Sequence, residues 1–93
     1  GQLTTAKNYH QKALDIVPNF CLAGKNLGDI YVKERQFTKA EKHFRKAARN
    51  CPLYQEARYK LGLVLVKMGD RKTARVELDK LLKQHKPHNP PIK

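Results

Sequence analysis

An all-helical fold built from antiparallel helix pairs is predicted by three features of this 93-residue chain. Apolar residues recur at three- and four-residue spacing, which puts them on one face of a helix. Short connections marked by Pro18, by Pro52 and by Met68-Gly69-Asp70 separate the helical stretches, and connections this short join antiparallel neighbours. No stretch alternates apolar and polar residues for long enough to argue for a strand.

Taken in order, the first helix runs from about Thr4 to Ile16 and stops at Pro18. A second covers about Phe20 to Lys33, and a third about Thr38 to Arg49, before Pro52. The fourth spans about Tyr54 to Lys67 and ends at Gly69, where Asp70 is placed to cap the fifth, about Arg71 to Gln84. "HKPHNPPIK" carries too many prolines to continue that helix, so residues 87–93 are expected to be a disordered tail.

A shift of about 34 residues lays "NLGDIYVKERQFTKAEKHFRKAAR" on "KLGLVLVKMGDRKTARVELDKLLK". Leu27, Gly28, Tyr31, Ala40, Phe44 and Ala47 then fall on Leu61, Gly62, Leu65, Ala74, Leu78 and Leu81. The opposite shift sets Ala6, His10, Ala13 and Pro18 under Ala40, Phe44, Ala47 and Pro52, so the chain is expected to open halfway through a unit. A glycine inside a helix costs about 1 kcal/mol against alanine, so Gly28 and Gly62 call for a compensating close helix approach. Small Ala40 and Ala47 flanking large Phe44 on one face let paired helices interlock.

These residues resemble the tetratricopeptide repeat (TPR) family, with its L-G-x-x-Y, A-x-x-x-F-x-x-A and P signature. Cys21 to Tyr54 matches best. The resemblance implies a right-handed superhelical stack across residues 1–86 as a single domain, divided into a partial repeat 1–20 and repeats 21–54 and 55–86. The large aromatic that the family carries near the start of each unit is replaced by Gly24 and Arg58. Neither end carries a clear polar capping face, so an excised segment or self-association through uncapped ends is expected, with marginal stability for the isolated monomer.

The +12 formal charge invites a nucleic-acid or anionic-surface reading. In the resembled family the first helix of each pair lines the concave surface, and here those helices carry only Lys25, Lys33, Arg58, Lys60 and Lys67. The outer helices hold most of the rest, with Lys39, Lys42, Arg45, Lys46 and Arg49 on one of them. Such an outer surface is either a solvated face or a contact for acidic protein, RNA or anionic lipid. The inward positions are Lys25, Asn26, Asp29 and Lys33, then Tyr59, Lys60, Leu63 and Lys67, a mixture suited to a peptide with one carboxylate and a few apolar side chains. Lys25, Asn26 and Lys60 match parts of the carboxylate clamp of some family members, but Asp29 and Glu56 would repel an acid there.

No catalytic set, cofactor or metal site is expected. His10 falls in a packing slot, His43 is expected to face water, and His85 and His88 form an HxxH without further ligands. Tyr31 and Phe37 recur where the repeat wants core residues, which leaves Tyr9, Tyr54 and Tyr59 as candidate exposed rings. Cys21 and Cys51 form no CxxC. Free, half-buried thiols are the simpler expectation, and a disulfide is the alternative if the parent protein is exported. No secretion signal is visible in the N-terminal stretch, and a mature or excised fragment would look the same; the compartment is left open between the cytoplasm and the bacterial envelope, where "NCPLYQEARYKLG" bears a faint likeness to repeat lipoproteins of pilus assembly. The expected function is a non-enzymatic scaffold or adaptor that holds a segment of a partner protein, with binding of nucleic acid or an anionic membrane through the outer helices as the alternative.

Overall fold

The structure, a computed structural model, describes residues 1–85, with side chains through Lys83. Five helices follow one another, α1 (Gln2–Ile16), α2 (Cys21–Lys33), α3 (Phe37–Asn50), α4 (Gln55–Lys67) and α5 (Arg71–His85), and no strand occurs among the described residues. Each boundary lies close to its sequence-based position. Residues 87–93, expected to be a tail, lie outside the described residues, as does His88.

The two turns inside the helix pairs are built alike. After α4, Gly69 adopts φ 86° and donates its N–H to the Val66 carbonyl, while Asp70 N–H reaches Leu65 O at 2.9 Å. After α2, Arg35 takes the same left-handed place at φ 61°, its N–H bonding Val32 O, and Gln36 N–H reaches Tyr31 O at 2.8 Å. Both are Schellman endings that satisfy the last helical carbonyls. Only the turn after α4 has the glycine that makes the conformation strain-free. Asp70 then caps α5 by accepting the Thr73 N–H at 3.1 Å, a bond that holds its carboxyl below the usual value.

Close approach at two glycines sets the packing of each pair. A Cβ on Gly28 would fall 2.5 Å from Phe44 Cε1, and one on Gly62 would fall 2.6 Å from Leu78 Cδ2. Phe44 thus packs directly on the bare backbone of α2 and is wholly buried, beside Ala40, Leu61, Val64, Leu65 and Ala74 in the main core. Tyr31, Val32 and Phe37 close its margin. A second cluster of Cys21, Ala47, Ala48 and Ala57, covered by Cys51 and Tyr54, joins the opposite end of the α2–α3 pair to α4.

Cys21 and Cys51 are joined in a disulfide, which overturns the expectation of free thiols. The two are 30 residues apart in sequence, and the antiparallel pair folds that separation back on itself. Cys21 opens α2 and Cys51 caps the end of α3, so their Cα atoms stand 6.4 Å apart. The predicted antiparallel pair already sets Cys21 and Cys51 at one end of the hairpin, but linear spacing does not give the Cα separation that permits the bond.

Helices adjacent in sequence pack on one another, and α2 also meets α4 directly. No comparable approach joins α1 to α3 or α3 to α5 among the described residues. So α2 and α4 form a closed inner layer, and α1, α3 and α5 an outer layer splayed apart, as a curved stack of helix pairs requires. Both end faces are apolar in part. Leu3 and Tyr9 are exposed at one end, and Tyr59 and Leu82 at the other.

Three substitutions along α2 and α4 rank the close approaches. Gly28→Ala is expected to lower stability by about 1–3 kcal/mol, because the fully buried Phe44 ring cannot move aside. Gly62→Ala should cost less, since Leu78 can change rotamer. Gly24→Ala should be neutral or stabilising by up to about 1 kcal/mol, its nearest neighbour being Ala47 Cβ at 3.7 Å. Urea denaturation midpoints of the three variants check the order. Breaking the disulfide, by reduction or as Cys51→Ser, should lower the unfolding free energy by about 3–4 kcal/mol for a loop of this length. Two reactive thiols in unreduced, denatured protein would refute the pairing.

Candidate functional site

The inner layer carries a groove of ≈ 440 Å³, open to solvent between α2 and α4. Asp29, Val32 and Lys33 line it from α2, and Lys60, Leu63 and Lys67 from α4, over a floor that includes Phe44 and Val64. Five of the eight inward positions read from the sequence, Asp29, Lys33, Lys60, Leu63 and Lys67, therefore surround one cavity. Lys25 and Asn26 stand further toward the start of α2, both half-buried. Tyr59 does not join the groove. It faces the end of the stack, where it shares a shallow depression with Gln55, Glu56, Lys60, Leu81 and Leu82.

Charge in this layer is largely internal. Lys25 Nζ lies 3.1 Å from Asp29 Oδ2 and 3.3 Å from Glu56 Oε2, and Lys60 Nζ lies 3.2 Å from Asp29 Oδ1. Burial works to lower the pKa of Lys25, but Asp29 and then Glu56 outweigh it and raise the ammonium above its ordinary value. Asp29 and Glu56 thus take up the two lysines that match the carboxylate clamp. Lys25 and Lys60 bind their own chain. Lys33 and Lys67 differ: each sits in the last turn of an inner helix, exposed, and no ion pair engages either among the described residues.

Outer cations divide among separate places. Lys39 Nζ stands 5.6 Å from the Tyr31 ring centre, with Lys7 at 5.5 Å, and Lys42 is exposed. Lys46 borders a crevice of ≈ 180 Å³ between α1 and α3, into which Gly24 contributes no side chain. Arg45, paired with Glu41, and Arg49 border a different crevice, between α3 and α5. The five residues taken as one basic surface thus face at least two clefts, because helical spacing turns neighbouring residues of α3 to opposite sides.

Two further expectations are corrected. His43 does not face water; its ring stacks on Tyr31 with centroids 5.5 Å apart and lies half-buried. The repeat register put it next to the Phe44 slot without revealing that α2 presents a ring there. Tyr54 is half-buried against the second cluster, which leaves Tyr9 and Tyr59 as the exposed tyrosines of that set. His10 meets Tyr9 edge-on at 6.2 Å on the open face of α1. Among the described residues no group of His, Cys, Asp or Glu is placed to hold a metal ion, and no helix is long and apolar enough to cross a membrane.

Sequence models described as tetratricopeptide repeat match residues 26–52 and 56–87, and the chain belongs to that family. It is 41% identical over 46 residues to an uncharacterized protein, ycf37, of Pyropia yezoensis, a match covering 50% of this chain and 26% of that one. Two crystal structures of MamA share its fold. One superposes at a TM-score of 0.86 with 22% identity, over 91% of this chain and 50% of MamA. The other has a TM-score of 0.86 with 21% identity, over 100% of this chain and 53% of MamA. The chain thus spans about half the length of these structures and about a quarter of the curated relative. Tetratricopeptide repeats generally serve as protein-interaction modules that work without catalysis.

Burial, then the nearby Lys46 and Lys42, lower the pKa of His43 below its ordinary 6.5. Its folded form binds fewer protons than its unfolded form, so stability rises with pH across that interval. The contribution should be complete above about pH 6.5 and be lost as pH falls from there toward the depressed folded value. Urea unfolding at about pH 7.5 and about pH 5.5 should therefore show a larger loss for the native chain than for His43→Phe, which keeps the stacked ring.

Proposed function

We propose that the α2–α4 groove holds an extended or helical segment of a partner protein. The segment would place an apolar side chain over Val32, Leu63 and Val64, with acidic residues set toward Lys33 and Lys67. The observation that carries this reading is the contrast between two pairs of lysines. Lys25 and Lys60 are neutralised by Asp29 and Glu56, whereas Lys33 and Lys67 flank an apolar-floored cavity without a carboxylate of their own. A helical layer built of repeats suits such a ligand, since pockets one repeat apart read side chains along an extended segment.

Selection from a displayed random-peptide library should enrich sequences with an apolar residue flanked by Asp or Glu. Lys33→Glu with Lys67→Glu should weaken the selected peptides by roughly tenfold or more, while Lys42→Glu should leave them bound. Enrichment of basic peptides, or peptides indifferent to the Lys33 and Lys67 reversals, would refute the groove reading.

A further inference from the structure

The repeat register equates Gly24 with Arg58, and these two positions floor the two crevices of the splayed outer layer. At Gly24 the first crevice is left empty of a side chain. At Arg58 the second crevice, between α3 and α5, receives a guanidinium from beneath. This second crevice encloses ≈ 110 Å³, bordered by Arg45 and Arg49 of α3, Arg58 of α4, and Glu77 and Lys80 of α5. That is room for several water molecules, or for one small oxyanion in their place.

Its charge is not balanced. Arg45, Arg49, Arg58 and Lys80 meet one lining carboxylate, that of the buried Glu77, and with Arg45 also paired to Glu41 a surplus of two positive charges remains. Lys80 Nζ stands 3.5 Å from Glu77 Oε2, and the nearest Glu77 oxygen to Arg58 Nε is 4.0 Å away, too far for a hydrogen bond. The Arg58 Nε is buried and has no hydrogen-bond acceptor. A buried charged donor of this kind is among the least tolerated features of a folded chain unless something supplies an acceptor. Arg49 is exposed and engages no carboxylate among the described residues. The planar guanidinium fork matches phosphate oxygens in pairs, and two such forks meet here from different helices.

We propose that this crevice binds a single phosphoryl group, presented as a phosphomonoester on a side chain of a partner protein. A monoester carries close to two negative charges at neutral pH, enough to offset the surplus of the crevice. A nucleic-acid backbone fits less well. Its successive phosphates need a continuous basic track, whereas Lys46 borders the other crevice and Lys39 stands over Tyr31. The site is separate from the inner groove, and either can fail without the other.

The test is a titration of the 15N-labelled chain with inorganic phosphate, with a phosphoserine peptide and its unphosphorylated form, and with oligothymidylate, all at fixed ionic strength. Saturable shifts centred on the Arg58 Nε–H and on α3 and α5 near Arg49 and Glu77 are expected with phosphate and with the phosphopeptide. A tighter phosphopeptide identifies a protein source, and equal affinities identify the free anion. Arg58→Met should weaken binding by roughly tenfold, and Arg49→Gln, an exposed position that cannot compromise folding, by roughly threefold or more. Glu77→Gln should tighten it severalfold, a gain that a purely structural role for the cluster would not produce. Lys33→Glu with Lys67→Glu should leave it unchanged. No saturable shift beyond a sodium chloride control, affinity unaltered in folded Arg49→Gln, or oligothymidylate binding tighter than the phosphopeptide would each overturn the proposal.

Discussion

Contact between the Phe44 ring and the bare backbone at Gly28 is the constraint on which the rest of the structure depends. Dispersion and burial reward it, since a large ring seated on another helix without an intervening side chain makes the most of close packing. The helix-propensity cost of the glycine is offset in the same place. Because Leu78 meets Gly62 one period later, the two pairs adopt the same internal geometry and stack in register, with Phe44 contributing to the core that both share.

Stacked pairs of this shape cannot close both layers. The inner helices α2 and α4 touch, while the outer helices are held apart by the wedge of each pair. Different kinds of surface result. The inner side offers one groove with an apolar floor, whereas the outer side offers narrow clefts floored by whatever the inner helix sends between the outer ones. At Gly24 that is nothing and at Arg58 it is a charge. A position that in the family holds a large aromatic has become the point at which the two outer clefts acquire different chemistry.

Electrostatics follow the same partition. A formal charge of +12 looks like a single basic surface only while it is counted along the chain. In the fold, Asp29 bridges Lys25 and Lys60, Glu34 holds Lys7 at 3.0 Å, Glu41 holds Arg45, and Lys39 rests over a ring. These partly buried pairs decide which cations remain free to meet another molecule. Lys33, Lys67 and Arg49 are among those that remain.

From the sequence alone came the five helices, their limits, the period of the stack and the residues that face its core. These are local properties: helical spacing, Pro18 and Pro52, Gly69 and Asp70 act within a few residues of themselves. Which residues face inward was also mostly legible, because five of the eight inward positions surround one groove. Tyr59 was misplaced there, since a helix face spans more than one neighbour and only packing shows where the stack ends. Tertiary structure decided the rest. Pairing of Cys21 with Cys51, stacking of His43 on Tyr31, the neutralisation of Lys25 and the cluster around Arg58 all join residues from different helices. Each depends on distances that a one-dimensional period does not contain, because two chains with the same spacing can send the same side chain toward a partner or toward water.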